Sequence, residues 1–139
     1  MSQENVEVVR AAVEAFNRGS LEGAFKDAAP SFQWDNSRSA NADTRGVFTL
    51  SEILEVFRRA LELWESARIE IDELIPTGDY VVLPHAIHFR GRDGIETQAR
   101  TTWVFTIRNG KMERGCLYQD RQDALEAVGL SEQGTNAHS

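Results

Sequence analysis

Only one cysteine, Cys116, stands among the 139 residues. That excludes an internal disulfide framework and suits a reducing compartment. Long apolar runs are missing too. No stretch approaches the ~20 residues that span a bilayer, and the opening "MSQENVEVVR" has neither the basic nor the apolar region of a secretory signal. Basic charge is scarce: 15 Lys and Arg stand against 22 Asp and Glu, a net charge of −7. A face that replaces counterions on phosphate needs the opposite sign, so nucleic acid is excluded as a partner, as is a membrane. A cytoplasmic, soluble protein is expected. The length allows a single domain over residues 1–130 with a real core. The remainder, "SEQGTNAHS" (131–139), reads as a disordered polar tail in which His138 needs no role.

What is present changes period halfway along the chain. Val6, Val9, Val13 and Phe16 recur at three- and four-residue steps, the stripe of a helix that starts at Ser2 and ends at Gly19. Ser20 can cap a short second helix. "SFQWDNS" reads as a brief strand leading into a polar loop, and Thr49 with Glu52 forms a capping box. That box opens a third helix with Ile53, Val56, Phe57, Ala60, Leu61 and Trp64 on its apolar face. The period then becomes two. "RIEIDELI" alternates, with Ile69, Ile71 and Ile75 on one side, and strands follow at about 80–90, 96–108 and 111–120. Asn109-Gly110 and Asp93-Gly94 read as two-residue hairpin turns. Arg121 to Val128 is a short closing helix before Gly129. The pattern predicts an α+β domain: a cone-shaped barrel in which a curved antiparallel sheet wraps around three N-terminal helices, its open end a natural pocket.

Register assigns the faces. In the strand 96–108 the odd residues Thr101, Trp103, Phe105 and Ile107 are mostly large and apolar, so that face is the core. With two-residue turns, His88 lies opposite Ala99, Tyr118 opposite Thr101, and Asp120 opposite Ala99 on the other side. His88 and Asp120 then flank Ala99 with backbones roughly 10 Å apart, a general acid/base arrangement. One bulge turns Asp120 outward. Plainer roles stand beside this one: Asp120 as a helix N-cap, His88 as a half-exposed histidine near a hairpin end, and Tyr118 as a wall residue. The tryptophans are most simply core, and Cys116 is a small buried hydrophobe. On the same register His85, Ile87, Phe89 and Val104 fall on the outer face with Val81, Leu83 and Leu117. So apolar a face predicts a homodimer packed sheet to sheet.

"AFNRGS" at the end of helix 1, "TRG" before helix 3 and the ending "FTIRNGKMERGCLYQDRQDALEAVGL" resemble SnoaL-like proteins of the nuclear-transport-factor-2-like superfamily. That superfamily includes ketosteroid isomerases, polyketide cyclases, limonene epoxide hydrolase and scytalone dehydratase. The similarity covers about residues 3–130. It implies a cone-shaped pocket, often dimerisation through the sheet, and chemistry without metal or organic cofactor. In the isomerase comparison Asp35 of "FQWDN" falls on the proton-shuttling aspartate. The two oxyanion donors fall on Ala12 and Trp103, which argues against steroid isomerisation. An epoxide-hydrolase set would need Asp35 and Asp120 with Arg90 or Arg100. The cyclase aspartate has its counterpart at Leu117 by alignment or Asp120 by proximity. The expected function is therefore a pocket for a small hydrophobic molecule, with cofactor-free acid/base chemistry of isomerase, cyclase, dehydratase or hydrolase type. Asp35, His88, Asp120 and Tyr118 are the candidate catalytic residues. Trp34, Trp103, Phe105, Thr101 and Phe57 are the candidate ligand-binding residues, and no metal site is expected. The competing expectation is a noncatalytic binding or dimerisation module of the same fold.

Overall fold

The apolar stripe of the first helix becomes buried surface in the computed structural model, which describes residues 2–130. Val6, Val9, Val13 and Phe16 of α1 (Ser2–Asn17) all lie in the core. Gly19, at φ 86°, ends that helix in the left-handed conformation that glycine adopts without strain. Asn17 ties this end to the sheet: its side-chain amide donates to the Ile69 carbonyl at 2.9 Å, and its Oδ1 accepts from the Ile69 N–H at 2.8 Å. Ser20 caps α2 (Leu21–Ala24). Both halves of the Thr49–Glu52 capping box are present at the start of α3 (Leu50–Leu63). A single 3-10 turn (Ala42–Thr44) lies in the polar loop, and α4 (Arg121–Ala127) closes the fold. None of the described helices is long and apolar enough to cross a membrane. The tail expected at 131–139 lies outside the described residues.

The strands are β1 (Ala28–Asp35), β2 (Val47–Thr49), β3 (Ser66–Ile71), β4 (Ile75–Thr77), β5 (Tyr80–Arg90), β6 (Glu96–Arg108) and β7 (Lys111–Tyr118). They form one curved, unclosed sheet in the order β2-β1-β7-β6-β5-β3, with β4 pairing the start of β5. The sheet is larger than the four-stranded meander read from the sequence, because β1 joins it in parallel beside β7 and the short β2 and β4 extend it. The helices α1, α2 and α3 pack on its concave face, so the α+β cone is the observed architecture. Ile75 departs from the expected side. The chain bends after Ile71, leaving Ile69 in the main core and placing Ile75 with Val82, Val104, Ala124 and Leu125 beneath α4. Pro84 sits where β5 changes partner from β4 to β3, and its carbonyl accepts the Asp72 N–H in that gap. A proline, which has no N–H to contribute to a ladder, is tolerated at such a break.

Two local irregularities overturn the expected register. The β5–β6 connection is a three-residue loop, Arg92-Asp93-Gly94. Gly91 N–H bonds to the Ile95 carbonyl, Gly94 N–H to the Gly91 carbonyl, and Gly94 takes φ 87°. Asp93 holds the turn by accepting the Ile95 N–H. An odd loop changes parity, so His85 faces Thr101, Ile87 faces Ala99 and Leu83 faces Trp103. At the other hairpin Asn109-Gly110 is indeed the two-residue turn, pairing Arg108 with Lys111. A bulge then inserts one residue between Met112 and Arg114, and Trp103 comes to face Leu117, not Cys116.

The supposed outer apolar face therefore points inward. Val81, Leu83, Ile87 and Leu117 belong to the main core. His85 is buried beside Trp103 and Phe89 stacks on Trp64, while Val104, which does face outward, is covered by α4. The surface on which the dimer expectation rested is not there.

Candidate functional site

Within the cone, an aromatic cluster divides the interior. Trp34 from β1, Trp103 from β6 and Phe57 from α3 meet edge to face, with ring centroids 5.2 Å (Trp34–Trp103), 6.0 Å (Trp34–Phe57) and 6.4 Å (Phe57–Trp103) apart. Gly115 makes this possible. β1 runs beside β7 with Trp34 paired to Gly115, and a Cβ there would lie 2.5 Å from the indole. Below the cluster is a cavity of about 40 Å³ between α1, α2 and the sheet, lined wholly by apolar side chains that include Val13, Phe16, Phe105 and Met112. It is large enough for water but offers no hydrogen-bond partner, which makes it a dry void.

Above the cluster the cone opens into a larger cavity of about 530 Å³. Ile53, Val56, Phe57 and Ala60 of α3 form one wall, and Ile87, Ala99, Thr101, Trp103 and Leu117 of the sheet form the other. The loop after β1 closes the side with Asn36, Ser39 and Thr44. This loop is tethered rather than loose. Asn36 accepts from the Trp34 indole N–H at 2.8 Å and donates to the Thr44 carbonyl at 2.7 Å, and Ser39 and Thr44 share a hydroxyl hydrogen bond. The cavity also explains why Val56, Phe57 and Ala60 stay only half-buried on a strongly amphipathic helix.

A polar pair reaches this cavity through half-buried Thr101, with His85 behind it. His85 is 1% exposed, its ring 4.0 Å from the Trp103 ring. Its Nδ1 lies 2.9 Å from the Leu83 carbonyl, which can only accept, so Nδ1 carries the proton and donates. The bare Nε2 then accepts from the Thr101 hydroxyl at 3.2 Å. Burial pushes the imidazole pKa down to about 4; the Leu83 carbonyl and Asp72 act the other way, and Arg100 adds to the lowering. The ring is neutral near pH 7. With its proton directed at His85, the Thr101 oxygen presents only lone pairs to the cavity.

Of the residues predicted from sequence, the structure brings Trp34, Trp103, Phe57 and Thr101 to this cavity, and Phe105 to the smaller one below. The four candidate catalytic residues are elsewhere. His88 points outward, its Nε2 2.8 Å from Glu70, and this hydrogen bond holds the Glu70 carboxyl below the usual range. Asp120 is exposed at the first cap position of α4 and makes no side-chain cap bond. The pairing of His88 with Asp120 across Ala99 does not form, because the odd loop and the bulge turn both residues away. Asp35 alternates with Trp34 along β1 and so lies on the outer face, ion-paired to Arg114 at 2.8 Å. Burial works to raise its pKa, but hydrogen bonds from Ser37 and the charges of Arg114 and Arg38 outweigh it and hold the carboxyl below the usual range. Tyr118 is beside Asp35, in the same outer recess. Arg100, considered for a hydrolase set, pairs with Asp72 at 2.6 Å, and Arg90 lies near Glu65.

His85 is the functional candidate that hairpin arithmetic misplaced. The signal for it was in β5 itself, where Val81, Leu83, Ile87 and Phe89 share its parity and form the more apolar row.

Solved structures share this architecture at low identity. The chain superposes on TerC co-crystallised with polyporic acid at 20% identity and a TM-score of 0.72, covering 90% of this chain and 97% of that one. AclR, a putative hydroxylase from Streptomyces galilaeus, gives 14% identity and 0.74, covering 93% and 98%. Wild-type IdmH, a putative polyketide cyclase from Streptomyces antibioticus, gives 16% and 0.71, covering 91% and 99%. No curated protein matches the sequence. The model of the SnoaL-like domain matches residues 9–115, and with most of its length inside that match the chain belongs to the SnoaL-like family.

Proposed function

We propose that this protein binds a small, largely apolar organic molecule in the 530 Å³ cavity, where the Thr101 hydroxyl accepts a hydrogen bond from the ligand. The observation that carries this reading is the hydrogen bond between half-buried Thr101 and buried His85, set in an aromatic wall. A few placed polar groups in an apolar concavity are how small-molecule sites fix orientation. TerC, of the same fold, was co-crystallised with the organic molecule polyporic acid, and IdmH is named a putative polyketide cyclase, which supports the same reading.

A naphthol titration tests it. 1-Naphthol is expected to quench the fluorescence of Trp34 and Trp103 saturably, and Thr101→Val to weaken binding about tenfold, the worth of one hydrogen bond. Naphthalene, lacking the hydroxyl, should bind wild type and variant alike. Equal naphthol affinity for the two proteins, or no saturable binding, refutes the proposal.

A second reading, cofactor-free acid/base catalysis, is favoured by the proton path from Thr101 to the unprotonated Nε2 of His85. A base with a pKa of about 4 is weak at neutral pH. The geometry therefore supports binding first and catalysis only on a substrate whose own proton is acidic. Exchange of the α-protons of 2-tetralone into D2O, followed by NMR, separates the two. Acceleration by wild type that is lost in His85→Gln supports catalysis, and none in wild type leaves the binding reading alone.

A further inference from the structure

On the opposite face of the sheet from the cone there is a recess of about 200 Å³. Asp35, Arg38, Arg114, Cys116 and Tyr118 line it, at the place where the loop after β1 meets β7 and the end of α4. Two guanidinium groups share one carboxylate here. Arg114 takes Asp35 Oδ2 at 2.8 Å, leaving Arg38 3.9 Å from the same oxygen. Arg38 instead lies 4.6 Å over the ring of Tyr118, with Nη1 3.4 Å from the Cys116 thiol. Its backbone is held by Gln119, whose side chain donates to the Arg38 carbonyl at 2.7 Å.

That is an unusual use of cations in a chain of net charge −7. Each guanidinium has five N–H donors, and the bonds to Asp35 and Cys116 employ few of them. Glu55 also serves two arginines, Arg58 and Arg59, but these are more exposed, on the outer side of α3. In the recess the guanidinium groups are about half-exposed, and Val104, Ala127 and Val128 supply an apolar wall beside them. The Tyr118 phenol has its pKa raised by burial and by its hydrogen bond with Cys116, so its hydroxyl stays protonated as a donor.

We propose that this recess binds the carboxylate of a small organic acid, with its oxygens on Arg38 and Arg114 and its hydrocarbon part against Val104, Ala127 and Val128. Planar guanidinium forks match carboxylate geometry better than any other side chain does. Asp35 is the resident competitor: it pairs with Arg114 and yields part of that pairing when the acid enters. The site is separate from the cone cavity, since β1 and β7 present Trp34 and Gly115 to the inside and Asp35 and Cys116 to the outside.

Benzoate is the probe, titrated into the full chain and followed by amide NMR, with benzamide as the uncharged control. Benzoate should shift the amides of Cys116, Tyr118 and Val128 with millimolar affinity, and benzamide should not. Arg38→Gln and Arg114→Gln are each expected to weaken benzoate about tenfold, and Asp35→Asn to tighten it about tenfold by removing the competing carboxylate. Arg38 is a half-exposed loop residue, so its variant tests the idea even if Asp35→Asn fails to fold. No saturation by roughly 20 mM benzoate would overturn the proposal. So would shifts centred on Thr101 and Trp103, equal affinity for Arg38→Gln, or an unchanged affinity in a folded Asp35→Asn.

Discussion

Protonating His85 should cost this protein a large part of its stability. The imidazole is 1% exposed and bonded at both nitrogens, with Nδ1 donating to Leu83 and Nε2 accepting from Thr101. A second ring proton would have to displace the Thr101 bond and put a charge against Trp103. In the unfolded chain the group titrates near 6.5, whereas burial holds the folded value at about 4. Because the folded pKa of this base is depressed, the unfolded state takes up the proton first as pH falls. Stability is full above pH 6.5 and drains away toward pH 4. At 1.36 kcal/mol per unit, the whole effect is about 3 kcal/mol, most of which is lost between about pH 7.5 and about pH 4.5. Urea unfolding followed by tryptophan fluorescence at those two pH values, in wild type and His85→Gln, measures it. Carboxylates with lowered pKa values, such as Asp35 and Glu70, weaken the fold in acid in both proteins and cancel in the comparison. Wild type should lose about 2–3 kcal/mol more than the variant. Equal losses would show that His85 is not buried neutral against Thr101, and would remove the basis for the cavity's polar anchor.

Two further predictions concern the scaffold of the cavity. Gly115→Ala places a Cβ 2.5 Å from the Trp34 ring; overpacking outweighs the backbone benefit of alanine in a strand, for a net loss of about 1–2 kcal/mol in urea titration. A variant as stable as wild type would mean that Trp34 does not cross β7 at Gly115. Thr49→Ala removes one half of the capping box of α3 and should cost about 1 kcal/mol. It should also speed amide exchange at Glu52; unchanged exchange would argue that tertiary packing alone holds that end of α3.

The fold was legible because its signals are local. Val6, Val9, Val13 and Phe16 make a helix stripe wherever they occur, Thr49 and Glu52 satisfy each other's backbone over one turn, and β5 and β6 are long runs rich in β-branched and aromatic residues between turn signals. The aromatic wall followed from the same patterns: Trp34, Phe57 and Trp103 are large apolar residues on the inward sides of their elements. Parity across the hairpins was harder. Asp93-Gly94 looks like a two-residue turn, but Asp93 bonds to the Ile95 N–H and only Gly94 takes positive φ, which makes a three-residue loop. The bulge opposite Thr106 and Ile107 left no mark in the residues around Glu113.

Each of these events moves one residue and reverses every side chain beyond it. That is why His85 and His88 exchange faces while their strand stays where it was predicted. By itself the sequence determined the helices, the long strands, their order and the aromatic residues of the cone, since those depend on neighbours a few residues apart. Only the tertiary structure decided that His85 meets Thr101 inside and that Asp35 meets Arg114 outside. Those meetings join residues 16 and 79 positions apart, and their geometry is set by the register of whole strands.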